Sequence, residues 1–119
     1  MVLVDTSIWV DHLRFGNPRL ASLLEDGDVV CHPFVIGELA CGRLPDRADT
    51  LGRLLELPKT GVAGFDEVMS LIEVHRLMGT GLGFIDAHLL ASARLTGTPL
   101  WTLDLPLKKA AAKLAVLFS

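Results

Sequence analysis

Val2-Leu3-Val4-Asp5-Thr6-Ser7-Ile8-Trp9 opens the chain with an apolar run that stops at a carboxylate followed by two hydroxyls. The first three residues read as a short buried strand. Thr6 and Ser7 are capping candidates for a helix through Arg14. A buried strand passing straight into a helix predicts parallel pairing, because parallel strands need long crossover connections.

The same alternation continues along the chain. Asn17-Pro18 opens a second helix with Leu20, Leu23 and Leu24 on one face, closed by Gly27. Asp28 to Cys31 reads as a second strand, Pro33 to Gly42 as a third helix and Asp46 to Leu57 as a fourth, ahead of a weak strand at Thr60 to Ala63. Phe65, Val68, Leu71, Ile72, His75 and Met78 make a helical stripe that ends at Gly79. Gly79-Thr80-Gly81-Leu82-Gly83 is a flexible connection to a helix over Phe84 to Thr96. Leu100 to Leu103 reads as a strand ending at Asp104, then a short helix from about Pro106 and a last strand at Ala115 to Phe118. The expected fold class is α/β: a single domain over residues 1–119, a three-layer sandwich whose parallel sheet of four to five strands carries helices on both faces.

Half of the residues are apolar and 21% are charged, which excludes a disordered tail. Fourteen acids against eleven Lys and Arg give a net charge of −3, the wrong sign for a protein that coats nucleic acid indiscriminately. A mean hydropathy of +0.46 is high for a soluble monomer and points to surface meant for a partner, with a homodimer expected. No apolar run approaches the ~18 residues of a membrane span. Asp5 and Asp11 interrupt the start where a secretory signal would be apolar, so a cytoplasmic protein is expected. Cys31 and Cys41 lack a Cys-x-x-Cys spacing and read as core thiols.

Gly79, Gly81 and Gly83 match neither phosphate-binding glycine pattern, and no G-x-S-x-G elbow is present. Thr6-Ser7 after Asp5 also excludes the Asp-x-Asp of aspartyl-phosphate phosphatases. The anomalous residues are carboxylates. Glu38 has Phe34, Val35 and Cys41 at i−4, i−3 and i+3, and Asp86 has Leu89, Leu90 and Ala93 at i+3, i+4 and i+7, so both lie on apolar stripes. Asp5 and Asp104 stand where strand runs stop, the place where open parallel sheets gather ligands. Each also has an ordinary reading: helix cap, exposed glutamate, macrodipole partner and turn acid.

These residues resemble a known family. Val4-Asp5-Thr6-Ser7-Ile8-Trp9, Ile36-Gly37-Glu38-Leu39, Gly83-Phe84-Ile85-Asp86-Ala87 and Trp101-Thr102-Leu103-Asp104 look like the motifs of a PIN-domain ribonuclease, and the compact length resembles the VapC toxins of toxin–antitoxin pairs. The family often carries a further acid and an aromatic after the T-x-D element, where Leu105-Pro106-Leu107 stand here. The resemblance implies a PIN-like fold, RNA as substrate, an antitoxin partner and a Mg²⁺ or Mn²⁺ site at Asp5, Glu38, Asp86 and Asp104. It implies 5′-phosphate and 3′-hydroxyl products. An all-oxygen donor set independently selects a hard divalent cation. Asp5 and Asp86 are expected as direct ligands, Glu38 and Asp104 as water-mediated ligands or orienters of the nucleophile. Thr6, Ser7 and Thr102 are expected to support them by hydrogen bonds. A non-catalytic PIN-like interaction module and a metal-dependent DNA nuclease are the alternatives.

Setting those four acids aside moves the net charge from −3 to +1, and Arg14, Arg43, Arg47, Lys108, Lys109 and Lys113 are candidate phosphate contacts. His75 reads as a core or interface residue and His88 as structural, while His12 and His32 have no metal-ligand spacing. Without tyrosine, no base-stacking platform is expected, and RNA recognition by shape is.

Overall fold

The computed structural model describes residues 1–119. Three strands form a parallel sheet: β1 (Val2–Val4), β2 (Val29–Val30) and β3 (Leu100–Trp101), in the order β2-β1-β3. Val2 and Leu3 pair with Val29 and Val30, and on the other side Leu3 and Val4 pair with Leu100 and Trp101. Seven helices flank the sheet: α1 (Thr6–Phe15), α2 (Pro18–Glu25), α3 (Pro33–Cys41), α4 (Arg47–Glu56), α5 (Phe65–Val74), α6 (Phe84–Thr96) and α7 (Leu105–Lys113). β1 is buried throughout. It packs in one apolar core with Ile8 of α1, Leu20 of α2, Val35 of α3, Leu89 and Leu90 of α6 and Leu107 of α7. The chain passes from β1 outward to β2 and then back across to β3, so strand order reverses at β1. Its carboxyl end is therefore the crevice where ligands bind in open parallel sheets.

The outer strand candidates shrink to single bridges. Thr60 to Ala63 is not a strand; the edge pairing is Cys31 with Lys59, and beyond it the Gly61 carbonyl accepts the Ser92 hydroxyl from α6 instead. Ala115 to Phe118 likewise reduces to Leu117 bridged to Leu100, after Ala115 adopts φ +58°. β3 stops at Trp101 because the next backbone donors are diverted. Leu103 N–H goes to the Ser7 hydroxyl (3.0 Å) and Asp104 N–H to the Thr102 hydroxyl (3.0 Å). The helical stripe from Phe65 ends at Val74 rather than Gly79, because Arg76 turns to φ +51°. Val68 is buried there, but Phe65 and Met78 are exposed. Cys31 is buried, whereas Cys41 is exposed and not a core thiol.

One contact in the glycine connection sets the spacing of two helix starts. Gly81 has φ +90°, and a Cβ there would lie 3.3 Å from Cγ of Pro106 in the first turn of α7. The approach to α6 is thus pressed onto the start of α7. Gly52, inside α4, has nothing within 4 Å of a would-be Cβ. Urea unfolding should separate the two. Gly81→Ala should lose about 1–2 kcal/mol through left-handed strain and the crowded proline. Gly52→Ala should gain roughly 0.5–1 kcal/mol from helix propensity. A neutral Gly81→Ala would show that the connection does not hold these helix starts together.

Candidate active site

The sheet and three helix starts deliver carboxylates to one place. Asp5 follows β1 and caps α1, Asp104 follows β3 and caps α7 through Leu107 N–H (3.1 Å), and Asp86 sits in the first turn of α6. Its carboxylate accepts the Gly83 N–H at 3.0 Å. The positive ends of three helix dipoles therefore face these groups. Glu38 arrives from the middle of α3.

Asp5 is the deepest of the four, at 5% exposure. Its Oδ2 accepts the Thr102 hydroxyl at 2.7 Å, the Ser7 hydroxyl at 2.8 Å and the Ser7 N–H at 3.4 Å. Thr102 is itself fully buried, so the carboxylate is held in one orientation. Thr6 donates to Glu38 Oε1 at 2.8 Å, joining the start of α1 to α3. Glu38 does not face the core. Val35, Ile36 and Leu39 fill the buried side of α3, whereas Phe34 and Cys41 on Glu38's side are themselves at the surface. Of the three apolar neighbours, only Val35 is a core residue.

A common pattern runs through all four acids. One oxygen of each takes every protein hydrogen bond the group makes (Asp5 Oδ2, Glu38 Oε1, Asp86 Oδ2, Asp104 Oδ2), and the other takes none. No Lys or Arg pairs with any of them; the ion pair in the chain is Arg53–Asp49 on α4. Burial pushes the Asp86 carboxyl above its usual range. The Gly83 N–H opposes that shift, and repulsion from Asp5, Asp104 and Glu38 adds to it. The four charges are thus close enough to act on one another. No three of them yet form a closed cage for an ion. The two observations concern different ranges, since repulsion crosses several ångströms whereas coordination needs oxygens ~2–2.6 Å from one point. The surplus of negative charge, the all-oxygen donors and the four free oxygens fit a hard divalent cation.

A cavity of about 200 Å³ is lined by Thr6, Arg14, Arg43 and, of the four acids, Glu38, which places two guanidinium-bearing residues at the flank of that carboxylate. Arg47 is occupied with the carbonyls of Ala40 and Gly42, and Lys113 with the carbonyl of His75. His75 is half-buried at the end of α5 and lies 2.9 Å from Arg94. His12 accepts the Asn17 N–H between α1 and α2. His32 is fully buried, its Nδ1 accepting the Phe34 N–H, and desolvation followed by the charge of His88 lowers its pKa to about 4. His88 is buried against Phe34 and Phe84. The surface position of those two rings was missed in the sequence, although Pro33-Phe34 and Gly83-Phe84 both stand at helix starts, the second inside the motif carrying Asp86.

The PIN domain family profile matches residues 2–113. Ribonuclease VapC32 of Mycobacterium tuberculosis, in strains CDC 1551 / Oshkosh and H37Rv, is 47% identical over 117 residues, covering 98% of this chain and 94% of that protein. Two crystal structures share the fold. PAE2754 from Pyrobaculum aerophilum has a TM-score of 0.64 at 20% identity, covering 96% of this chain and 94% of its own. FitAcB from Neisseria gonorrhoeae has a TM-score of 0.66 at 18% identity, covering 94% of each chain.

The crowding at Asp86 yields a stability test. Asp86→Asn keeps an acceptor for the Gly83 N–H and removes a charge repelled by three others. In EDTA the variant should therefore melt at or above the wild-type temperature. Millimolar Mn²⁺ should stabilise the wild type as RT ln(1 + [M]/Kd), about 2.7 kcal/mol at a hundredfold excess over Kd, and leave the variant nearly unmoved. A variant melting far below wild type in EDTA, or gaining the full increment, would mean that the acids do not share a cation.

Proposed function

Because this chain belongs to the PIN-domain family, among its VapC-type ribonucleases, we propose that it hydrolyses RNA at Asp5, Glu38, Asp86 and Asp104 with a divalent cation. The observation that carries this reading is the set of four carboxylates, each anchored through one oxygen and free at the other, with no protein cation among them. Mg²⁺ or Mn²⁺ suits such hard donors. When bound, it would supply a water of lowered pKa and positive charge against the scissile phosphate.

The protein's own contribution is preorganisation. Thr102 and Ser7 hold Asp5 so that its free oxygen does not have to be oriented during reaction, and Gly83 does the same for Asp86. These two acids are the proposed direct ligands. Glu38 and Asp104 are exposed, which suits water-mediated contact or orientation of the attacking water. Burial, with repulsion from the other acids, raises the Asp86 pKa, and a bound cation would favour its ionised form. Arg14 and Arg43 stand where a substrate phosphate could be paired bidentately.

The VapC kinship supports a toxin paired with an antitoxin. An arginine from that partner would satisfy the free carboxylate oxygens in place of metal and silence the site. A homodimer fits the high apolar fraction and exposed Phe15, Val74 and Leu95. No helix is long and apolar enough to cross a membrane.

Digestion of RNA and of single-stranded DNA, with Mg²⁺, Mn²⁺ or EDTA, tests this reading. RNA should be cut in the metal-containing reactions. Asp86→Asn should lower the rate by orders of magnitude. Asp11→Asn should be nearly silent, since Asp11 is engaged with Asn17 at 3.1 Å between α1 and α2. Cutting of DNA alone would favour the DNA nuclease, no cutting of either would favour the interaction module, and equal losses in both variants would misplace the site.

A further inference from the structure

The start of α1 and the middle of α3 meet at one hydrogen bond, from the Thr6 hydroxyl to Glu38 Oε1 at 2.8 Å. Both residues line the cavity of about 200 Å³, which continues between the two helices along Val10 of α1 and Leu39 of α3. Arg14 and Arg43 line the same cavity. Arg14 stands eight residues past Thr6, about 12 Å along the axis of α1. Arg43 lies just beyond the end of α3 at Cys41. The groove thus has a catalytic-site carboxylate at one end and two guanidinium-bearing residues toward the other.

These two arginines are unspent. Arg19, Arg47, Arg53 and Arg94 each bond to groups of the chain itself. No side-chain hydrogen bond occupies Arg14 or Arg43, and neither pairs with Glu38 although all three share the cavity. Both are exposed. Guanidinium groups beside an acid that they do not neutralise are open to an anionic ligand, and their planar forks suit a phosphate.

Resting on the ribonuclease reading, we propose that Arg14 and Arg43 hold a phosphate neighbouring the one that is cut, so that the RNA strand runs from the acids into the groove between α1 and α3. The scissile phosphate itself lies elsewhere. Asp5, Asp86 and Asp104 do not line this cavity, and Glu38 alone belongs to both places. Glu38 also decides the occupant. An RNA strand repeats one anion, which meets a cation held by the acids at one step and the arginines at another. An acidic protein segment matches the arginines only, and would desolvate Glu38 without bringing it a cation. Cleavage therefore requires a strand that continues past the cut on the side of Glu38. Contacts to phosphate position a strand without reading its bases, so this subsite sets substrate length rather than sequence.

The test is steady-state cleavage of a short single-stranded RNA by the full chain with Mn²⁺, repeated over a series of salt concentrations. Wild type is compared with Arg14→Ala, Arg43→Ala, the double alanine variant and the double lysine variant. A parallel set of substrates carries one uncharged methylphosphonate at each position around the cut. The double alanine variant should raise KM about tenfold or more with kcat little changed. Its log–log salt dependence of kcat/KM should flatten by about 0.7, the slope of one phosphate on a single strand. The double lysine variant should keep the wild-type slope with an intermediate KM, which guards against a folding defect in the alanine variant. A methylphosphonate at one flanking position should cost wild type the same factor and cost the double alanine variant nothing further. Unchanged KM and slope in the double alanine variant, or equal methylphosphonate losses in both proteins, would overturn the subsite. So would a double alanine variant that cuts normally but no longer binds a short glutamate-rich peptide, which would assign the arginines to an acidic protein segment. Wild type that cuts no RNA would overturn the underlying reading, and the subsite with it.

Discussion

Asp5 puts an ionisable carboxylate, almost out of contact with solvent, at the carboxyl end of the central strand. Burying such a group without partners costs several kcal/mol. Here one oxygen receives two hydroxyls and a backbone N–H from Ser7 and Thr102. Hydrogen bonds to a charged acceptor contribute about 1.5–3 kcal/mol each, enough to offset the burial. The same bonds join β1, the start of α1 and the end of β3. They also stop β3, because Ser7 and Thr102 then take the backbone donors of Leu103 and Asp104. A single interaction thus shapes the sheet end, turns the chain into α7 and leaves one carboxylate oxygen available for chemistry.

The charge arrangement follows from that anchor. Asp86 and Asp104 reach the same crevice because the sheet reverses its strand order at β1 and because Gly81 lets the approach to α6 lie against Pro106. Three helix N-termini partly offset the mutual repulsion, and the protein supplies no lysine or arginine to neutralise the rest. Such a site is incomplete by itself, which is the electrostatic state expected of a protein that takes up a cation and a polyanion.

Much of the fold was legible in residue order. The alternation of apolar runs and capped helices located β1, β2, β3 and the parallel sheet, and Phe84–Thr96 could be bounded to the residue because Gly83 and Gly97 flank it. The outer strands were overestimated, since Thr60–Ala63 and Ala115–Phe118 have strand composition but their pairing shortens to the single bridges Cys31–Lys59 and Leu100–Leu117. The end of α5 depended on a left-handed Arg76 that no residue type announces. At the candidate site, Asp5 and Asp104 could be singled out as acids at strand ends, and Asp86 as an acid on the apolar stripe of Leu89, Leu90 and Ala93. Glu38 was singled out for a core-facing position it does not have; its surface place depends on which side of α3 packs inward, a tertiary fact. The cavity that Glu38 shares with Arg14 and Arg43 was invisible for the same reason, because adjacency across helices arises only on folding.

Anomalous X-ray scattering from crystals grown with Mn²⁺ addresses the central claim most directly, since it locates the ion without reference to activity. The account predicts a Mn²⁺ peak at the carboxyl end of β1, contacted by the free oxygens of Asp5 and Asp86, with Glu38 and Asp104 within reach directly or through water. Density for Mn²⁺ elsewhere on the chain, with these four carboxylates keeping only their present hydrogen bonds, would contradict it.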